Sequence, residues 1–190
     1  MWTKTAPRPT TRSIVIFAVT TVITASLLAL MWVRLIQAGN AASNVNTSPL
    51  INRAAPDFVI TPWNMPTSQT IRLDSFKGHP VVVNFWGSWC AECQEEQAIF
   101  QTVWQQYQNQ GVQFIGIAYN DKQDTGSAYL KQYAVTYPAG PPQANTTPVD
   151  YSVTGAPETV FIGRDGIVKD KVLGPMDQAS LEREIQQLLK

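Results

Sequence analysis

The sequence predicts an α/β fold: a mixed central sheet with helices on both faces, an extra N-terminal pair of strands, and one transmembrane helix in front. Three observations carry this. Strand-length apolar runs, Val81–Trp86 and Val112–Tyr119, alternate with segments of helical period. Two later strand-like segments, Thr159–Ile162 and Ile167–Leu173, flank Arg164-Asp165-Gly166, a hairpin signal. A βαβ start followed by a hairpin implies a mixed sheet between layers. Ile14 to Val33 is a run of 20 residues without a charge.

The elements follow in chain order. Lys4, Arg8 and Arg12 lie in a tail over residues 1–13, and no acidic residue precedes Asp57. A 20-residue helix is about 30 Å long, enough to span a bilayer. The predicted span is 14–36, and its positive N-terminal flank leaves the N-terminus in the cytoplasm and the rest outside. The alternative is a cleaved signal peptide, cut near Ala38-Gly39-Asn40-Ala41-Ala42. Such peptides have an apolar region of only about 7–15 residues, shorter than this run. Residues 37–55 are small and polar, contain Pro49, and read as a linker. Residues 56–190 have the length of one domain. From Asp57 on there are nine basic and 14 acidic residues, a formal charge of −5. Nucleic-acid binding would want a basic face.

Within the domain, Phe58-Val59-Ile60 and Thr70-Ile71-Arg72-Leu73 read as short strands around a Pro-rich loop. Val81–Trp86 is unbroken and apolar, as in a sheet covered on both faces. Glu92–Gln110 reads as a helix with Phe100, Val103, Trp104 and Tyr107 on one stripe, ended by Gly111. Val112–Tyr119 is a second buried strand and Gly126–Tyr133 a helix. The last helix carries Leu181, Ile185, Leu188 and Leu189 on one face.

The only two cysteines stand in Trp89-Cys90-Ala91-Glu92-Cys93, between a buried strand and a helix start. That is the redox arrangement of the thioredoxin type. Free N–H groups and the positive dipole end of the helix favour a thiolate at Cys90, the reactive species in disulfide exchange. A structural disulfide would link distant segments, because long loops restrict the unfolded chain most. Structural zinc needs about four N/S ligands. Two cysteines and the single histidine, His79, cannot build that site, so no metal is expected. Cys93, Glu96, Phe100, Val103 and Tyr107 keep the 3-and-4 spacing of one helix face. Glu96 therefore projects toward the buried side, one turn from Cys93. Desolvation there raises a carboxyl pKa, and the group can shuttle the proton of the less exposed thiol. The alternative, a first-turn Glu favoured by the helix dipole, fits Glu92 and Glu95 better. Trp86 is expected in the core, and Trp89 partly over the disulfide. His79 reads as a surface loop residue, and Glu158 as a rim or a solvated strand-start residue.

Val83-Asn84-Phe85-Trp86-Gly87-Ser88-Trp89-Cys90 through Cys93, followed by Gly155-Ala156-Pro157-Glu158-Thr159, resembles the membrane-tethered thioredoxins of the TlpA, ResA and CcmG (DsbE) group. Ala55-Pro56-Asp57-Phe58 and Leu73-Asp74-Ser75-Phe76-Lys77-Gly78 resemble the lead-in of the wider redoxin (AhpC/TSA) superfamily. The Gly-Ala-Pro-Glu-Thr segment is most similar to the cytochrome c maturation branch. The resemblance implies a thioredoxin-like fold and a cis-proline at Pro157 facing the dithiol. X–Pro bonds are where the cis form costs least. The plain alternative is a trans-proline opening the Thr159 strand. The resemblance further implies that Trp89, Ala156 and Pro157 bind substrate, the backbone of Ala156 pairing with an extended chain beside the cysteines. A Glu three residues after the second Cys matches the group, which supports Glu96. One departure from the group is Glu92, where many relatives have Pro; thioredoxin itself has a buried Asp where this chain has Asn84.

The implied activity is protein-disulfide reduction without a cofactor: Cys90 attacks, Cys93 resolves, and Cys90–Cys93 is left oxidised. The implied partners are client disulfides such as those of apocytochrome c, a membrane electron donor of the DsbD or CcdA type, and the bilayer itself. The implied place is the cell membrane, single-pass, with the catalytic domain on the periplasmic side. Two other classes fit less well. Peroxiredoxins show Pro-x-x-x-Thr-x-x-Cys, and here Val83 and Gly87 stand at the Pro and Thr positions before Cys90. The other is a non-enzymatic copper or haem metallochaperone; copper-delivery relatives use Cys-x-x-x-Cys with a distant His, and neither feature matches. The direction of electron flow stays open, because it depends on small differences in thiol stabilisation.

Overall fold

The computed structural model describes residues 18, 20–33, 48–66 and 69–190. The chain divides into two compact units, Met1–Val45 and Asn46–Lys190. In the first, residues 20–33 are helical with exposed side chains. Among the described residues no helix is long and apolar enough to cross a membrane. The tail 1–13, part of the 14–36 span and residues 37–47 of the linker lie outside the described residues.

In the second unit, β1 (Val59–Ile60) and β2 (Ile71–Arg72) form a separate antiparallel pair, the extra strands expected in front. The main sheet has five strands in the order β5-β4-β3-β6-β7. They are β3 (Val81–Trp86), β4 (Gln113–Ala118), β5 (Ala139–Gly140), β6 (Glu158–Ile162) and β7 (Val168–Leu173). β3–β4 and β4–β5 are parallel, while β3–β6 and β6–β7 are antiparallel, so the sheet is mixed. The helices are α1 (Ala91–Tyr107), α2 (Gln123–Gln132), a four-residue α3 (Thr147–Asp150) and α4 (Gln178–Leu188). α1 stops at Tyr107 and continues as a 3-10 turn to Gln110, after which Gly111 takes φ 84°, a left-handed conformation that glycine adopts without strain.

Side chains alternate across the strands and build two clusters. Val82, Trp86, Phe114 and Phe161 pack with Phe100 and Val103 of α1, Tyr129 and Leu130 of α2, and Leu181 and Ile185 of α4. Burying each such side chain is worth roughly 1.5–3 kcal/mol. Val81, Val83, Phe85, Ile115, Ile117, Val160 and Ile162 form the other cluster. Helices lie on both faces, but unequally. All three long helices contribute to the first cluster. The second is closed by Leu50, Phe58, Ile60 and Tyr151, with Ile71 and the 3-10 residues Leu73 and Phe76 beside them. The N-terminal segment and the end of the short α3 cover this face.

The linker expectation is corrected. Residues 48–55 dock on the domain: Asn52 N–H donates to Val168 O at 2.9 Å and Ala55 N–H to Gly166 O at 2.9 Å. Leu50 is buried. Polar composition hid one apolar anchor and a set of backbone bonds. Leu50→Ala should cost about 2 kcal/mol in equilibrium denaturation, the low end for burying then deleting a leucine. A residue in a free tether would cost nothing.

Antiparallel pairing sets the site. Phe85 of β3 faces Glu158 of β6. The end of β3 that runs toward Cys90 therefore lies beside the start of β6, which Pro157 precedes.

Candidate active site

β3 ends at Trp86, and Gly87-Ser88-Trp89 turns the chain into α1. A side chain at Gly87 would meet the Trp89 indole at 2.6 Å, so glycine here lets the indole lie against the turn. Cys90 is the N-cap residue, with extended φ −89° and ψ 113°. Its Sγ is bonded to Cys93 Sγ, with the Cα atoms 5.2 Å apart. The Cys93 N–H donates to Cys90 Sγ at 3.1 Å. After reduction, the same N–H is placed to stabilise a thiolate on Cys90. Cys90 is 5% exposed and Cys93 1%. The Ala156–Pro157 bond is cis. Ala156 O lies 3.4 Å from Cys90 Sγ. Pro157 is buried and Ala156 half-buried. Trp89 is 56% exposed, and its Nε1–H points at the carbonyls of Tyr119 (3.3 Å) and Asn120 (3.2 Å).

Glu96 is 3% exposed, on the same buried face of α1 as Cys93, Phe100, Val103 and Tyr107. Oε1 accepts from Asn84 Nδ2 at 3.0 Å, and Oε2 accepts from Met176 N–H at 3.0 Å. Burial raises its pKa to about 7; the two hydrogen bonds pull downward, and Glu92 adds a small upward push. A carboxyl that exchanges a proton near neutrality is suited to acid–base work there. Asn84 Nδ2 also reaches Thr159 Oγ1 at 3.2 Å, so the amide joins β3, β6 and α1. Tyr129 OH donates to Cys93 O at 2.8 Å, with Gln97 Oε1 3.2 Å away, and Gln97 Nε2 donates to Tyr137 OH at 2.6 Å. Burial pushes both phenols up, which keeps them neutral.

Asp121, in the loop after β4, holds the turn before Cys90. It accepts from Ser88 N–H (2.6 Å), Ser88 Oγ (2.8 Å), Lys122 N–H (2.8 Å) and Thr125 Oγ1 (2.8 Å). Burial acts to raise its pKa, but these bonds outweigh it and hold the group below its ordinary value.

The structure brings Cys90, Cys93, Ala156 and Pro157 together, with Glu96 one helical turn below and Trp89 at the surface. Glu158 is neither a rim nor a solvated residue. It is 2% exposed, and its Oε2 is 2.7 Å from Lys171 Nζ. Sequence reasoning missed Lys171, Asp121 and the Asn84–Glu96 bond. One signal was available for Asn84: a polar side chain inside an unbroken apolar strand must find a partner.

The sequence matches the AhpC/TSA family over residues 51–171. It is 33% identical over 144 residues to the thiol:disulfide interchange protein DsbE of Allochromatium vinosum, covering 75% of this chain and 77% of that one. It is 29% identical over 138 residues to the thiol-disulfide oxidoreductase ResA of Bacillus cereus, covering 73% of this chain and 78% of that one. A solved thiol:disulfide interchange protein DsbE from Chlorobium tepidum superposes with a TM-score of 0.65 at 25% identity, covering 72% of this chain and 96% of that one. Residues, geometry and relatives agree: the chain belongs to the AhpC/TSA family and is a thiol:disulfide oxidoreductase of the DsbE/ResA type with a Cys90–Cys93 pair.

Proposed function

We propose that this chain is a disulfide reductase held at the outer face of the cytoplasmic membrane by its 14–36 segment, acting on client disulfides such as those of apocytochrome c. The observation that carries the reading is the Cys90 sulfur at the start of α1, with Ala156 O 3.4 Å away as an acceptor for a client backbone N–H. In the reduced enzyme the Cys90 thiolate attacks one client sulfur. A mixed disulfide forms and one client thiolate leaves. Cys93, deprotonated with the help of Glu96, then attacks Cys90 Sγ. The Cys90–Cys93 bond closes and the second client thiolate leaves, so two electrons pass from the enzyme to the client. A dithiol donor in the membrane, of the DsbD or CcdA type, restores the reduced pair by the reverse exchange. The uncharged run and the basic residues before it support the anchor and its orientation.

A single labelling experiment tests place and direction together, because the chain has only two cysteines. A membrane-impermeant maleimide is added to intact cells. Labelling without prior reductant is the expected result. Labelling only after the cells are permeabilised would overturn the outer location. Labelling only after a reductant is added would turn the reductase into an oxidase.

A further inference from the structure

Lys171 and Glu158 form a buried ion pair that the exchange steps do not use, with side chains 2% and 3% exposed. Glu158 opens β6 directly after Pro157, and Lys171 sits on β7 opposite Val160. Besides its ion pair with Glu158, Lys171 Nζ donates to Tyr151 O at 2.9 Å and Ser152 O at 2.7 Å. The other carboxylate oxygen of Glu158 accepts from Thr154 N–H (2.8 Å), Thr154 Oγ1 (2.7 Å) and Gly155 N–H (3.0 Å). One ion pair thus ties four residues of the segment 151–156 to two strands of the sheet. That segment includes Ser152 at φ 51° and ends at Ala156, whose carbonyl faces Cys90 Sγ. Stability alone does not explain the pair. Apolar residues of similar volume often replace a buried ion pair without loss. What an apolar pair could not do is hold two carbonyls and two backbone N–H groups in fixed directions.

We propose that Lys171 is a positioning residue for client recognition: through Glu158 and the carbonyls of Tyr151 and Ser152, it fixes the 151–156 segment so that the Ala156 backbone is presented to an extended peptide beside Cys90. This rests on the exchange reading above. The consequence is a split between substrates. An extended peptide disulfide uses the segment. A small aromatic disulfide reacts at sulfur and has no backbone to pair.

The test uses the full chain in detergent micelles, reduced beforehand and freed of reductant. Single-turnover rate constants are measured with an oxidised Cys-x-x-Cys peptide and with dithionitrobenzoate. Lys171→Met should slow the peptide reaction about tenfold, a modest loss for an ångström-scale displacement, and the dithionitrobenzoate reaction by less than about twofold. Lys171→Met leaves the Glu158 charge buried and unpaired. Should that variant not fold, Glu158→Gln/Lys171→Met removes both charges, still lacks the two carbonyl anchors, and should show the same split. Equal loss on both substrates, or no loss on either, in whichever variant folds, overturns the positioning role. A wild-type chain inert toward both disulfides overturns the exchange reading and the proposal with it.

Discussion

Replacing Cys90 by serine is expected to bring disulfide exchange down to the uncatalysed level, whereas Cys93→Ser is expected to complete the first step and stop. The two cysteines share a bond here, but not an environment. Cys90 caps α1 and receives the Cys93 N–H at 3.1 Å, a hydrogen bond that favours sulfur carrying negative charge. Cys93 lies one turn inside, 1% exposed, with its carbonyl bound by Tyr129 OH. A serine hydroxyl at position 90 has no adjacent base to activate it, so no covalent intermediate forms. With serine at position 93 the intermediate forms but nothing attacks it, and client proteins should accumulate in disulfide-linked adducts. Non-reducing electrophoresis detects these, and they should vanish on adding reductant. Alkylation of the reduced wild-type enzyme checks the same assignment. Faster modification of Cys93 than of Cys90 would reverse the two roles.

The redox pair was legible in the sequence because it is local. Four consecutive residues, a preceding apolar strand and a following helical stripe define it. Strands β3, β4, β6 and β7 were legible for a related reason: each is long enough to show its own pattern. β5 was not, since two residues between Pro138 and Pro141 carry no periodicity. Thr70–Leu73 read as a strand, but only Ile71–Arg72 pairs, and Leu73 already begins a 3-10 turn. The remaining misses are contacts across the chain. Lys171 lies in Val168-Lys169-Asp170-Lys171, where three successive charges give no sign of which one is buried. It is buried because the 151–156 segment covers it and supplies two carbonyls. Asp121 is 33 residues from the Ser88 backbone it holds. Such pairings depend on topology, and no local spacing encodes them.

Glu96→Gln is expected to slow resolution roughly 10²-fold at pH 7, the low end for a positioned general base, and to change the pH profile. In the oxidised enzyme burial lifts this carboxyl from 4.5 to about 7. The wild-type rate should therefore rise as pH passes about 7 and the carboxylate becomes free to take the Cys93 proton. The Gln variant has only the thiol's own ionisation, and an ordinary cysteine thiol ionises at about 8.5, so its rise should come later. The same shift has a stability consequence of fixed sign. Between pH 4.5 and about 7 the folded state still holds a proton that the unfolded state has lost. Wild-type stability should then fall as pH rises through this window, by an amount on the order of 3 kcal/mol once pH exceeds the folded value. The Gln variant should lack this decline. The amide keeps the carbonyl acceptor for Met176 N–H or Asn84, so the fold should survive. A residue serving only to tie Asn84 of β3 to the Met176 backbone would show the stability effect without the kinetic one. The pH–rate profile of single-turnover reduction decides: superimposable curves for wild type and Glu96→Gln would leave Glu96 as that clamp and nothing more.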